Sequence, residues 1–161
     1  RVQTVSTSFL IDIRNLSILH NSMEQIDYEN PWEYQGVPFT SDMIGDHFGF
    51  CYLIQNTVDG RLYIGKKLFT KAGYRMVKKK RKKVRLESDW KTYYSSSEEL
   101  KEDVAKLGKE NFVRRILRLC NSRSECSYYE GKYQFQYEVL LHNSYNLWIQ
   151  LRVRKNKTLK K

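Results

Sequence analysis

The chain has 161 residues, a net charge of +11, and 40% hydrophobic and 14% aromatic residues. That suits one domain, or one domain with an arm, whose core closes without covalent staples. It contains no run of about eighteen apolar residues, which excludes a membrane-spanning helix, and the start Arg1–Ser8 lacks the apolar stretch of a signal peptide.

The positive charge is uneven. Residues 71–86 hold nine basic residues and no acid, and residues 152–161 hold six more and no acid. Together they carry +15 against +11 for the whole chain, so the remaining body is mildly acidic. Clustered cations release counterions from phosphates, which points to nucleic acid as the partner; a solvated surface run is the plainer alternative. The three cysteines, Cys51, Cys120 and Cys126, are odd in number and show no CxxC spacing. They are expected to be reduced thiols in a cytoplasmic setting. Cys51 and Cys120 fall in apolar runs as small hydrophobes rather than as metal ligands.

Residues 1–47 read as an N-terminal extension packing on the core. Phe9 to Leu19 suits a strand or a short helix. Asn30 to Phe39 reads as irregular, because Pro31 and Pro38 interrupt it, with Trp32, Tyr34 and Phe39 packing on the domain. Residues 49–67 form the clearest element, a β-hairpin of two apolar runs around Asp59-Gly60. If its loop holds an even number of residues, Tyr52 and Tyr63 share one face of the sheet. Gly65 then allows a close approach by a backbone or ligand, and Lys66 and Lys67 favour an anion or a phenolate. Residues 71–86 are too charged to be buried and suit an extended loop or a β-ribbon. Ser96 with Glu99 fits a capping box opening a helix from Glu98 to Leu107, stopped at Gly108. Asn111 to Cys120 is a strand buried on both faces near one end. Ser122 with Glu125 opens a second helix to about Leu141, with Tyr129, Tyr133 and Tyr137 at helical spacing. Asn143 to Asn146 breaks that pattern, and Leu147 to Ile149 is a last apolar element.

The hairpin resembles the GIY-YIG nuclease superfamily. Phe50-Cys51-Tyr52 stands where GIY would be, and Tyr63-Ile64-Gly65 is the YIG element itself. Tyr93-Tyr94-Ser95-Ser96-Ser97 is similar to the YxGSG-type segment of phage-encoded members. Glu130 lies in a helix as the superfamily's metal-binding glutamate does, and Tyr145-Asn146 resembles its later YN element. The ordered set, over roughly residues 48–149, is more specific than any one part. Each part also has a plain reading: core aromatics for the tyrosines, a solvated helix residue for Glu130, a turn residue for Asn146.

The resemblance implies an α/β fold: a small, mostly antiparallel three-stranded sheet flanked by helices, spanning 48–150, with the basic insertion 71–86 and a basic tail 151–161. It implies a metal-dependent DNA endonuclease in a bacterial or phage-infected cytoplasm, using Mg²⁺ or Mn²⁺ held by Glu130. Tyr63 would be the base, Tyr52 its support, and nearby cations would lower the phenol pKa. The superfamily's arginine, on a helix soon after YIG, has no counterpart here because the basic insertion replaces that helix. Lys67, Arg75 and Arg85 are the candidates, Lys67 preferred because the hairpin fixes it near Tyr63, Arg85 second. Lys78, Lys79, Lys80, Arg81, Lys82 and Lys83, with Asn146, would contact duplex DNA. A homodimer, with Tyr128, Tyr129 and Tyr133 as its candidate interface, would explain double-strand cuts from one site per chain. The competing functions are a non-catalytic nucleic-acid binder on the same fold and a module for an acidic protein partner.

Overall fold

A computed structural model describes residues 26–155. The element expected between Phe9 and Leu19 and the end of the basic tail lie outside the described residues. The stretch expected to be irregular is instead part of the main sheet. Glu33–Tyr34 (β1) and Val37–Pro38 (β2) pair antiparallel across Gln35 and Gly36, both at positive φ, 51° and 82°. The prolines permit this: Pro31 precedes β1, and Pro38 ends β2 on the sheet's outer edge, where no backbone donor is needed. Trp32 and Phe39 flank the little hairpin and are fully buried.

Gly49–Asn56 (β3) and Leu62–Leu68 (β4) pair from Gly49↔Leu68 to Gln55↔Leu62. The Asn56 N–H donates to the Arg61 carbonyl at 2.9 Å, which leaves the loop Thr57–Gly60, with Gly60 at φ 79°. This is the even loop, and it puts Tyr52 and Tyr63 on one face. Thr70–Val77 (β5) and Lys80–Glu87 (β6) form a separate two-stranded ribbon. Phe112–Cys120 (β7) enters the main sheet between β1 and β3, antiparallel to β3 and parallel to β1, giving the order β2-β1-β7-β3-β4. The sheet is thus mixed and five-stranded, not three-stranded and antiparallel. The three expected strands, β7, β3 and β4, lie side by side and end at one edge of it. The two others have two residues each, too few to show a period in sequence.

Two α-helices among the described residues cover the sheet. The first, Glu98–Leu107 (α1), is capped by Ser97, whose hydroxyl accepts from the Leu100 N–H at 3.3 Å. Ser96, the expected cap, is left free for another contact. Leu100 and Val104 are buried, acidic residues open the helix, and Gly108 ends it at φ 92°. The second, Arg123–Gln136 (α2), starts as expected: Ser122 accepts from the Glu125 N–H at 3.1 Å. It stops short of Leu141. Glu138 takes a positive φ of 49°, and Val139 turns back into the core beneath Leu53 and Ile64.

The alternation of β3 divides the interior. Phe50, Tyr52 and Ile54 face an aromatic core with Trp32, Trp90 and α1. Cys51 and Leu53 face the α2 side, where Cys51, Cys120 and Cys126 are free and buried. Their thiols pack as small hydrophobes, the Cys51 Sγ donating to the Cys126 carbonyl at 3.2 Å. Arg114 of β7 is 1% exposed. Its guanidinium donates to the carbonyls of Glu29, Asn30, Lys91 and Tyr93 and lies 4.7 Å from the ring centroids of Trp32 and Tyr94. Among the described residues it has no carboxylate partner. It ties the lead-in and the segment after the ribbon to the central strand. No helix among the described residues is long and apolar enough to cross a membrane.

Candidate active site

β4 is the edge strand at the end of the sheet away from β2, and its alternation sorts the candidates. Tyr63, Gly65 and Lys67 point to the aromatic-core side, with Ile64 and Lys66 opposite. Tyr52 pairs with Gly65, and the Tyr52 and Tyr63 rings stack with centroids 6.1 Å apart, 29° between planes. A Cβ on Gly65 would lie 2.6 Å from the Tyr52 hydroxyl and 2.8 Å from the Tyr63 ring. The glycine therefore admits the tyrosine pair itself, not a backbone or a ligand. Tyr93 meets Tyr52 edge-on at 6.2 Å.

The two phenols differ. Tyr52 is fully buried. Tyr63 is half-buried, shares a 2.9 Å hydrogen bond with the Ser96 hydroxyl, and opens into a cleft of about 280 Å³. Ser97, Glu98, Gln134, Asn146 and Trp148 line the same cleft. The expected lowering of the phenol pKa is overturned. Burial pushes Tyr63 up, and the Glu130 charge adds to that, against smaller opposing effects from Ser96 and Lys66. Burial pushes Tyr52 well up too, followed by its phenolic neighbours Tyr93 and Tyr63.

Glu130 reaches the site from the α2 side. Its Oε2 accepts from Lys66 Nζ at 2.5 Å, and its side chain is only 16% exposed. Because β4 is the edge, Lys66 and Glu130 come round one side of it and Tyr63 round the other. The donor set is thus one carboxylate, and no group of three or more His, Cys, Asp or Glu able to hold a metal occurs among the described residues. That fits an octahedral cation taking one protein carboxylate, with water and a substrate phosphate completing its shell.

Of the three candidate cations, Lys67 alone shares the β4 face of Tyr63. Its Nζ bonds Asp89 at 2.7 Å and sits 3.5 Å over the Tyr93 ring. That bond holds the Asp89 carboxyl below its usual value. Arg85 lies at the root of the ribbon, bonded to Thr70 Oγ1 at 3.0 Å and over Phe48. Arg75 lies in the ribbon's outer half, opposite Lys82. Lys78 and Lys79 form the ribbon turn, and Lys80, Arg81, Lys82 and Lys83 follow on β6, all exposed. Asn146 turns out to have a structural task. Its Oδ1 accepts from the Ile64 N–H and its Nδ2 donates to the Ile64 carbonyl, both at 2.9 Å, while Gln134 donates to the same carbonyl at 3.1 Å. A side-chain amide thus occupies the edge of β4 in place of another strand. Of the three tyrosines considered for a dimer, only Tyr128 is exposed; Tyr129 and Tyr133 pack on the thiol cluster.

Ser96, Tyr93 and Gln134 were missed as site residues, and Lys66, expected with Lys67 to favour an anion or a phenolate, pairs instead with Glu130. Strand alternation carries the signal for Lys66: if Lys67 faces the tyrosines, Lys66 faces the Glu130 helix. Ser96 was hidden by being read as the helix cap.

A sheet edge bearing stacked tyrosines, with a helix-borne glutamate beside it, defines a domain of GIY-YIG type. The family model described as putative endonuclease segE, GIY-YIG domain, matches residues 32–149, and the chain belongs to this nuclease-type family. The match takes in β1 and β2 as well as the tyrosine hairpin, Glu130 and Asn146. No curated protein and no solved structure matches the chain significantly.

Proposed function

We infer that the protein is a metal-dependent DNA endonuclease that hydrolyses phosphodiester bonds at the β4 edge. The observation that carries this reading is the Tyr63 hydroxyl, open to a cleft at the one sheet edge where Lys66 and Glu130 also meet. Glu130 would hold Mg²⁺ or Mn²⁺, which supplies charge neutralisation at the scissile phosphate. Tyr63, as its phenolate, takes the proton of the attacking water and becomes the phenol, and the Ser96 hydroxyl orients its oxygen. Tyr52, buried and stacked on Tyr63, fixes that ring without touching substrate. Lys67 contributes positive charge on the tyrosine side, and the ribbon holds the duplex.

A DNA-binding protein without catalysis is the second reading. The Lys66–Glu130 ion pair favours it, since it satisfies the carboxylate without a metal. Plasmid nicking separates the two. The full chain should nick with Mg²⁺ and stop with EDTA, and Glu130→Gln should lose nicking while keeping its DNA affinity. A Glu130→Gln protein cutting at the wild-type rate would sink the catalytic assignment. DNA binding with no nicking by the unaltered protein would establish the second reading.

A further inference from the structure

The ribbon is built differently from every other element. Phe69 and Trp90 root it in the aromatic core, with ring centroids 5.5 Å apart, and the Ser88 N–H donates to the Phe69 carbonyl at 2.9 Å. Beyond that root the two strands pair without a break from Thr70↔Glu87 to Val77↔Lys80. Lys78 and Lys79 close the turn at φ 48° and 62°, where Asn-Gly is the usual choice. None of its nine basic residues forms an ion pair with a carboxylate among the described residues. They are solvated in the protein and open to a polyanion.

The register gives the ribbon two unlike faces. One carries Tyr74 and Met76, with Lys83 and Arg81 opposite them. Tyr74 and Met76 are 56% and 66% exposed, and the Arg81 guanidinium lies 3.9 Å over the Tyr74 ring. The other face carries Arg75, Lys80 and Lys82, and here Leu86 covers Gly73. Among the described residues, the exposed side chains of Tyr74 and Met76 belong to no hydrophobic core, and Tyr74 packs against Arg81. They suit base edges, where arginine donates to guanine and apolar groups meet the thymine methyl.

We propose that the β5–β6 ribbon enters the major groove of B-form duplex DNA, with Tyr74, Met76 and Arg81 toward the base edges and the lysines of the turn and opposite face reaching the flanking phosphates. The inference rests on the reading of the protein as acting on DNA. Dimensions agree: two strands about 4.8 Å apart and about 26 Å long fit a groove about 12 Å wide that accepts a two-stranded ribbon. The deep, narrow major groove of A-form RNA does not accept it.

Dimethyl sulfate footprinting of the full chain on duplex DNA in EDTA tests this, because the reagent marks guanine N7 in the major groove and adenine N3 in the minor groove. The protein should protect N7 and leave N3 open. The triple variant Tyr74→Ala, Met76→Ala, Arg81→Ala should still bind DNA but lose N7 protection. The triple variant Arg75→Ala, Lys80→Ala, Lys82→Ala should keep N7 protection, bind more weakly, and lose about 3 from its salt slope, at about 0.9 per phosphate contact. Unchanged melting temperatures establish that both variants fold. Protection of N3 in place of N7, or N7 protection that survives the first variant, overturns the inference. A protein that nicks DNA with Mg²⁺ yet leaves N7 open keeps its proposed function and loses the groove. One that does not bind DNA at all loses both.

Discussion

Arg114 and the β5–β6 ribbon show opposite treatments of positive charge. Arg114 carries one charge in the core, and its guanidinium hydrogen atoms are spent on four backbone carbonyls and two aromatic faces. Burial lowers its pKa from the usual arginine value. The ribbon carries nine charges in water with no carboxylate partner among the described residues. A committed cation builds the protein; an uncommitted one is available to a ligand. Asn146 and Tyr63 repeat the contrast at the cleft: Asn146 has both amide atoms engaged with Ile64, whereas the Tyr63 hydroxyl bonds only the Ser96 hydroxyl among the described residues. The expected effects of substitution follow from which class a residue belongs to.

The largest effect on stability is expected at Arg114. Arg114→Met keeps much of the volume but leaves the carbonyls of Glu29, Asn30, Lys91 and Tyr93 without their donor. The expected loss is about 3–5 kcal/mol, the range for breaking a buried charged network. For a domain of this size that lowers the melting temperature by about 10 °C. Urea unfolding gives the same quantity independently. A loss near zero would mean that those carbonyls find water, and the contrast with the ribbon would collapse.

Next comes Tyr63, where chemistry and not stability should change. Tyr63→Phe keeps the ring stacked on Tyr52 and removes only a hydroxyl bonded to Ser96. Nicking should fall by about 10²-fold, the lower range for loss of a general base, with DNA affinity unchanged. The pH profile makes the assignment sharper. Burial holds Tyr63 above the ordinary phenol value of 10.0, so its phenolate is scarce at neutral pH and grows tenfold with each pH unit. The rate should climb with a slope near one between about pH 7 and 9, without levelling off before about pH 10. Tyr63→Phe should lose that slope. A wild-type plateau below about pH 8 would assign the proton transfer to another group.

These two residues also mark what the sequence discloses and what it hides. Tyr63 was legible because it sits in a hairpin, where local alternation fixes its face once the loop, whose parity the sequence leaves open, proves even. The helix starts at Ser122 and near Glu98 and the strand ending at Cys120 were legible for the same reason, each being set by neighbours a few residues away, while residues 71–86 were legible only as an extended loop or a ribbon. Arg114 was not legible. Its partners at Glu29, Asn30, Lys91 and Tyr93 are distant in the chain, and an arginine within a strand reads as solvent-facing. β1 and β2 were hidden likewise, since two-residue strands are held by register with β7 and not by their own pattern. The Ser96–Tyr63 contact depended on a one-residue choice of helix cap that three consecutive serines leave open.

The smallest effect separates Arg114 from cations that clamp the same segment from outside. Lys109 pairs with Glu29 at 2.8 Å and Lys91 with Asp27 at 2.6 Å, and the carboxylates of both pairs are well exposed. By position they do what Arg114 does, holding residues 27–30 against the body. By environment they differ: the carboxylates keep most of their water, two long side chains must be ordered, and salt screens what attraction is left. Lys109→Met should therefore leave the melting temperature unchanged within error in about 1 M salt, where the screening length is about 3 Å, and shift it barely at low salt. The Arg114→Met loss should be nearly the same at both salt concentrations, because it comes from desolvated carbonyls and not from long-range attraction. A salt-dependent Arg114→Met loss, or a Lys109→Met loss of similar size, would show that the segment is held by surface charge and that burial is not what distinguishes the two kinds of cation.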